Sequence, residues 1–316
     1  MLRYLFFVAL SVLLFPFCAS ANTAGSIHME GSRCVIDGIT YPAVGFGTCL
    51  IHDATCKTAI DWAAQDGYRI IDTATIYRNF SPIGEGIKKY GRQNFYLISK
   101  VWHNQLTPNH IRHDLAKTLQ QLKTPYLDAY LIHWPNSSVP IEETLWTMEE
   151  LRRSGKIRHI GLSNVTANHV RRALQVGVPI TWVQVEMHPF FCDFALLDLC
   201  HSQGIAVQAW CPLDRGRRVG KDGLLSDIGK RYNKTPEQVA LKWIAQHGCI
   251  PLPCSRNREH IRQNLEIDDF ALSADEIAQI DQRARYGQRR GASVSELGFT
   301  DEFGFTYEQC WPTAHK

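Results

Sequence analysis

Four short apolar runs in this chain each end on a polar or reactive side chain, and this pattern restricts the possible folds more than any other feature. Arg69-Ile70-Ile71 leads into Asp72, and Tyr96-Leu97-Ile98-Ser99 into Lys100. Tyr130-Leu131-Ile132 leads into His133, and Ile160-Gly161-Leu162 into Ser163-Asn164. An apolar run of four or five residues reads as a buried strand. A carboxylate, an ammonium and an imidazole at the same end of successive strands read as an assembled site. If those strands are parallel, their ends face one surface, which is where α/β barrels hold their chemistry.

The rest of the chain supports that geometry. Beyond residue 30, strands are predicted at Val44–Thr48, Arg69–Asp72, Phe95–Lys100, Ala129–His133, His159–Asn164, Trp182–Glu186, Ile205–Trp210 and Cys249–Pro253. Helical stretches fall between them. Pro108–Leu122 starts after Thr107 with proline at its first position, Ile141–Ser154 stops at Gly155, and Thr235-Pro-Glu-Gln238 is a capping box. Thr55–Asp66, Asn168–Gln175, Ala195–Gln203 and a helix begun by Ser273-Ala-Asp-Glu276 complete the set. Eight strands alternating with helices over roughly 240 residues predict a (β/α)8 TIM barrel. An open doubly wound sheet is the competing fold. Its only sign is Gly45-x-Gly47 after the first strand, which lacks a third glycine and a following helix. Asp37-Gly38, between Cys34-Val-Ile and Ile39-Thr-Tyr, predicts an N-terminal β-hairpin capping the barrel floor.

Residues 1–21 differ in kind. Arg3 precedes an apolar run from Leu5 to Phe17, and Ala19-Ser20-Ala21 supplies a small-x-small cleavage pattern. This is the design of a secretory signal peptide and is too short for a comfortable membrane span. Export to a periplasmic or extracellular space is therefore expected; translation starting at Met29 would instead leave the protein in the cytoplasm. The barrel is expected over 32–285 and a C-terminal segment over 286–316. Net charge is +3, too small to imply nucleic acid or a membrane surface as partner. Ten cysteines lack a Cys-x-x-Cys spacing, and Cys200, Cys211 and Cys249 fall in apparent core segments, which argues against a disulfide framework or zinc. His110 and His113 share a helix face without thiolate or carboxylate neighbours and read as solvated, so no metal is expected.

Asp72, Tyr77, Lys100 and His133 carry the chemistry. Tyr77 lies five residues past Asp72, on the loop above that strand. Tyrosine, with a pKa of about 10, is a poor acid at neutral pH. An ammonium nearby lowers that value, and Lys100 on the next strand end is placed to do so, with Asp72 holding the lysine. His133 can donate a hydrogen bond to a carbonyl oxygen. These roles suit reduction of a carbonyl, provided another group brings the hydride.

Three segments then make a resemblance specific. Gly67-Tyr-Arg-Ile-Ile-Asp-Thr-Ala-Thr-Ile-Tyr77-Arg-Asn79, Leu131-Ile-His-Trp-Pro135 and Gly155-Lys-Ile-Arg-His-Ile-Gly-Leu-Ser-Asn164 resemble, in order, the diagnostic segments of the aldo-keto reductase family, and in particular its bacterial diketogluconate and aldehyde reductase branch. The similarity runs from about Ser32 to Arg285. It implies an NAD(P)H-dependent reductase acting on a small carbonyl substrate and often monomeric. Tyr77 is then the proton donor, Lys100 and Asp72 its tuning pair, and His133 the group that orients the carbonyl. Ser163, Asn164 and Gln184 resemble the residues that hydrogen-bond the nicotinamide carboxamide, and Trp210 stands where an aromatic stacks on the ring. Thr48 and the Cys211-Pro-Leu213 segment fall at further cofactor positions, with the basic loop Arg215–Lys221 able to close over the pyrophosphate.

The sequence departs from the family after the eighth strand. The family's Pro-Lys-Ser, with arginine five residues on, holds the 2′-phosphate of NADPH. Here the run is Pro253-Cys254-Ser255, then His260 and Gln263-Asn264. Two cations give way to a thiol and a weakly basic imidazole, which removes two charge-assisted partners. Arg256 and Arg258 are expected to compensate. The implied outcome is NADPH use with NADH unusually competitive. Trp102, Trp134 and Cys49, the last in place of a common aromatic, are expected to line a widened substrate pocket, with Trp311 folding over it from the tail. Two rival readings remain at this point. One is a lyase using Lys100 as a Schiff base, which Asp72 disfavours by keeping the lysine charged. The other is a slow, cofactor-binding redox sensor.

Overall fold

The structure is a computed structural model that describes residues 27–31, 33–136 and 139–285. The expected leader at 1–21 and the tail at 286–316, with Trp311, lie outside these residues.

A small antiparallel sheet comes first: β1 (Ile27–Glu30), β2 (Arg33–Ile36) and β3 (Ile39–Pro42). The β2–β3 hairpin closes with Ile36 opposite Ile39. Asp37 and Gly38 both have positive φ, 52° and 78°. A two-residue type I′ turn requires this at both positions, and it is why Asp-Gly marks the hairpin. Cys34, Ile36 and Tyr41 pack on Ile70, Tyr96, Leu131, Trp182 and Ile250, so the hairpin seals one end of the larger sheet. His159 Nε2 lies 2.8 Å from Asp37 Oδ2 and ties the turn to that floor. Strand β1 has no turn signal before it and was not anticipated.

The larger sheet has eight parallel strands in sequential order: β4 (Phe46–Gly47), β5 (Ile70–Asp72), β6 (Tyr96–Val101), β7 (Leu127–Ile132), β8 (Ile157–Ser163), β9 (Trp182–Glu186), β10 (Ala206–Trp210) and β11 (Cys249–Pro251). Backbone bonds from Gly45 N to Pro251 O (3.0 Å) and from Gly47 N to Pro253 O (2.9 Å) join the first strand to the last. The sheet is therefore a closed (β/α)8 barrel, and the doubly wound alternative is excluded. A side chain at Gly47 would meet Leu252 O at 2.8 Å, so glycine is what lets the seam close.

Helices α1 (Asp53–Asp66), α2 (Phe80–Lys88), α3 (Pro108–Leu122), α4 (Ile141–Arg153), α5 (Ala167–Gln175), α6 (Phe194–Ser202), α7 (Gly223–Tyr232), α8 (Pro236–Gln246), α9 (Arg258–Leu265) and α10 (Ala274–Arg285) surround the barrel. Helix α2 is not among the predicted helices, and it contains the poor helix formers Pro82, Gly84 and Gly86. Packing explains the glycines. A Cβ at Gly84 would sit 2.5 Å from Leu122 O on α3, and one at Gly86 2.6 Å from Ile60 on α1. Tertiary contact overrides propensity there. The main core lies between strands and helices, where each fully buried Ile, Leu or Val contributes about 1.5–3 kcal/mol. Because all eight strands run the same way, Asp72, Lys100, His133, Ser163 and Trp210 emerge at one face.

Candidate active site

Two polar runs hold the middle of the barrel mouth. Lys100 is fully buried, and its Nζ donates to Asp72 Oδ2 (2.7 Å) and to Thr73 O (2.9 Å). Gln184 Nε2 donates to the other Asp72 oxygen (2.8 Å) and to Gln208 Oε1 (2.8 Å). Asp72 is thus clamped from β6 and β9 together. A lone buried carboxylate would be strongly unfavourable; its ammonium and amide partners are what make its burial tolerable.

Tyr77 stands over this pair. It ends a 3-10 turn, Thr75–Tyr77, which closes on Arg78 in the left-handed region (φ 53°). Its ring lies 5.1 Å from Lys100 Nζ and meets the His133 ring edge-on at 5.6 Å. The turn is braced from behind. Thr75 Oγ1 lies 3.0 Å from Lys100 O and 3.0 Å from Asp114 Oδ2, and Tyr130 donates to the same oxygen of Asp114 at 2.6 Å. Asn79 donates from Nδ2 to Thr48 O and Ile51 O and accepts at Oδ1 from the Thr73 hydroxyl, joining the first two loops of the mouth. Thr75, Asn79, Asp114 and Gln208 support the site without being anticipated. Thr75 and Asn79 both stand in the segment 67–79; Asp114 and Gln208 lie on a helix and a strand with no local signal.

Electrostatics correct one expectation. Tyr77 is not pulled toward ionisation. Burial holds its pKa well above the ordinary value, with the Cys49 thiol and the Asp72 carboxylate adding to the rise. Lys100 is already engaged by Asp72 and does not offset this. Burial, and then the charge of Lys100, push His133 well below the usual imidazole range. The site therefore presents a neutral phenol and a neutral imidazole, both able to donate a proton or a hydrogen bond at neutral pH.

Beside them the chain offers groups for a flat carboxamide. Asn164, in the left-handed region at φ 58°, donates from Nδ2 to His133 O (2.9 Å) and Ser163 Oγ (3.1 Å). Its Oδ1 accepts from Trp210 Nε1 at 2.9 Å. These bonds fix Asn164 and leave the Ser163 hydroxyl as a donor and the Gln184 carbonyl as an acceptor. One donor and one acceptor are what a nicotinamide carboxamide needs, so the residues fit that group. Trp210 is partly exposed rather than a core aromatic. Cys211 and Leu213 follow it, both partly buried; Cys211 is thus less deep than its apparent core segment implied. The Thr48 hydroxyl donates to Asp72 O (2.9 Å), so that side chain anchors the mouth instead of facing a ligand. Trp102 and Trp134 are both buried, Trp102 with its ring 5.1 Å from His133. Cys49 is exposed, and its thiol is near enough to Tyr77 for each to shift the other's ionisation.

The corner after β11 is built differently. Ser255 Oγ accepts from Asn257 N, and Asn257 caps α9 by accepting from Glu259 N and His260 N. Gln263 donates to Glu259, and Asn264 is buried. Arg258 forms a two-pronged ion pair with Asp66 at the end of α1, one arm at 2.6 Å. It is thus committed, contrary to the expectation that it compensates for lost phosphate cations. Arg256 is exposed and has no ion-pair partner among the described residues. In the basic loop, Arg218 is likewise tied to Asp214 and lies over Phe190 at 4.3 Å. No group of three or more His, Cys, Asp or Glu among the described residues is placed to hold a metal.

Comparison with known proteins decides the family. Residues 43–285 match the sequence profile described as "Aldo/keto reductase family". The chain belongs to the aldo-keto reductase family. It is 36% identical over 267 residues to the glyoxal reductase of Bacillus subtilis, covering 83% of this chain and 96% of that protein. It is 31% identical to the methylglyoxal reductase DkgA of Escherichia coli K12, over 83% and 96% of the two chains. Among solved structures, a putative 2,5-diketo-D-gluconic acid reductase B superimposes with TM-score 0.77 at 33% identity, covering 83% and 93%. The aldose reductase of Schistosoma japonicum gives 0.76 at 28%, covering 85% and 96%. This aldo-keto reductase is accordingly an oxidoreductase that reduces carbonyl compounds with a nicotinamide cofactor.

Proposed function

We propose that this aldo-keto reductase reduces short α-oxoaldehydes, of the glyoxal and methylglyoxal type, with Tyr77 as proton donor. The observation that carries the assignment is the buried Lys100–Asp72 pair beneath the Tyr77 ring, with neutral His133 against its edge. The names of the relatives supply the substrate class.

A bound nicotinamide cofactor would supply the hydride; Ser163 and Gln184 would hold its carboxamide, and Trp210 would offer its ring a flat face. As negative charge grows on the substrate oxygen, neutral His133 donates a hydrogen bond to it. Tyr77 then gives up its proton. Its raised pKa is no obstacle, because an alkoxide is about as basic as hydroxide, whose conjugate acid has a pKa of about 15.7. Lys100, 5.1 Å from the ring, attracts the phenolate only once it forms. Such an interaction acts on the transition state more than on the ground state. The same lysine donates two hydrogens to Asp72 and Thr73, which disfavours a Schiff-base role.

Cofactor choice is relaxed in this reading. Cys254 and His260 replace two cations, Arg258 is held by Asp66, and Arg256 remains to meet a 2′-phosphate. NADPH is used, with NADH competitive. A monomer is part of this reading. The test is oxidation of NADPH and NADH by the purified protein with methylglyoxal. Turnover with both supports the proposal, no turnover with any reactive aldehyde ends it, and a thousandfold preference for NADPH ends the relaxed-choice part.

A further inference from the structure

Two thiols meet where the barrel closes. Of the described cysteines, Cys34, Cys56, Cys192, Cys200 and Cys249 are buried and Cys211 half-buried, whereas Cys49 and Cys254 are exposed. They are 205 residues apart in sequence. The seam bonds Gly45–Pro251 and Gly47–Pro253 run the two segments side by side. Cys254 directly follows Pro253, and Cys49 follows Gly47 after Thr48. Cys254 Sγ touches Cys49 O at 2.9 Å. A sulfur against the backbone of the other residue brings the pair within reach of a disulfide, whose Cα atoms usually lie about 5.5–6 Å apart.

We propose that Cys49 and Cys254 form a reversible redox pair whose disulfide staples the first strand to the last and slows the reductase.

The consequence for turnover follows from what Cys49 touches. Its thiol lies close enough to Tyr77 to add to the rise of the phenol's pKa. Thr48, the preceding residue, is bonded through its amide and hydroxyl to Asp72 O, and Asn79 holds its carbonyl. Drawing Cys49 toward Cys254 therefore changes the surroundings of Tyr77 and pulls on the segment that anchors Asp72. It also ties down the corner expected to receive the cofactor's adenosine end. A displacement near 1 Å at reacting groups can cost roughly a hundredfold in rate.

The chemistry needs an oxidant, and a low-molecular-weight disulfide such as oxidised glutathione suffices. One protein thiolate attacks it, forming a mixed disulfide and releasing one glutathione. The second protein thiolate displaces the other glutathione, and the Cys49–Cys254 bond forms. Two thiols lose two electrons and two protons, and one disulfide becomes two thiols. Although both residues reach the surface, desolvation at the seam raises both thiols above the ordinary value, while Lys100 and Arg215 counter it at Cys49 and Arg256 at Cys254. Thiolate is scarce at neutral pH, so the exchange is slow, a response to sustained oxidation.

The loss of activity rests on the reductase reading above; the cross-link does not. The test is incubation of the full chain with oxidised glutathione, alkylation of remaining thiols, peptide mapping by mass spectrometry, and aldehyde-dependent NADPH oxidation before and after. The expected result is a cross-linked peptide pair joining Cys49 to Cys254 with loss of two hydrogens. Activity falls roughly ten- to hundredfold and returns with dithiothreitol. Cys49→Ser and Cys254→Ser, each compared with its own reduced form, show no such oxidant-dependent loss. If both thiols remain alkylatable, the pair is refuted. A cross-link with unchanged turnover refutes the switch. A reduced protein without activity refutes the reductase reading, while mapping still judges the pair.

Discussion

The two halves of the barrel mouth are made of different materials. Around Tyr77, side chains are buried and interlocked: Lys100, Asp72, Gln184 and Gln208 form one chain of bonds, and Asn164 links His133, Ser163 and Trp210. Around α9 they are more exposed: Glu259 pairs locally with Arg262 and Gln263, and Arg258 reaches Asp66 at the end of α1. A buried polar network tolerates little change, because each lost partner leaves an unsatisfied group. An exposed corner tolerates replacement, because water takes the place of what is removed. The reacting end is thereby held to one geometry, while the end expected to grip a phosphate is free to drift.

Substitutions can break that contrast. Tyr77→Phe is expected to lower turnover by about 10²–10⁴ without changing cofactor affinity, read by fluorescence titration alongside steady-state rates. Lys100→Met leaves Asp72 buried without its cation and should cost about 3–5 kcal/mol in urea unfolding. Adding Asp72→Asn should recover part of that loss, and no recovery would show that the two do not act as a pair.

Proton linkage distinguishes the buried half in another way. Burial lowers His103 to about 4. Unfolding exposes it to water, where its pKa is about 6.5. Below 6.5 the unfolded chain binds the proton and the folded one does not, so stability is full above pH 6.5 and falls as pH drops toward 4. The expected loss is about 1.4 kcal/mol per pH unit in that window. Urea midpoints at pH 7 and pH 5 measure it, and His103→Gln should flatten the difference.

The α9 corner should respond more mildly. Arg256→Ala is expected to raise KM for NADPH about tenfold, the effect of one charge-assisted contact, with KM for NADH unchanged. Arg258→Ala should shift stability by about 0.2–1 kcal/mol, as a part-exposed ion pair does, and alter the two cofactors alike. A selective loss of NADPH on Arg258→Ala would mean that Asp66 releases the arginine when cofactor binds.

The buried half was also the legible half. Strand ends carrying Asp72, Lys100 and His133 stand out in the sequence because apolar runs stop abruptly on reactive groups, and the barrel followed from their alternation with helices. The bracing of Tyr77 by Thr75 and Asp114 did not show, since it joins a turn to a helix 39 residues on through an oxygen that no local pattern marks. Helix α2 was hidden by glycines that only its neighbours explain. The direction of the Tyr77 shift was misjudged because sequence places charges along the chain but not the depth of burial. The commitment of Arg258 depended on Asp66, which comes near only once α1 and α9 pack together.

The central claim is that one acid, Tyr77 over the buried Lys100–Asp72 pair, works with either cofactor. The most direct measurement is methylglyoxal reduction by the wild type and Tyr77→Phe, each with NADPH and with NADH. A fall of about a hundredfold or more, equal with both cofactors, is predicted. Undiminished turnover by Tyr77→Phe with either cofactor would contradict the account.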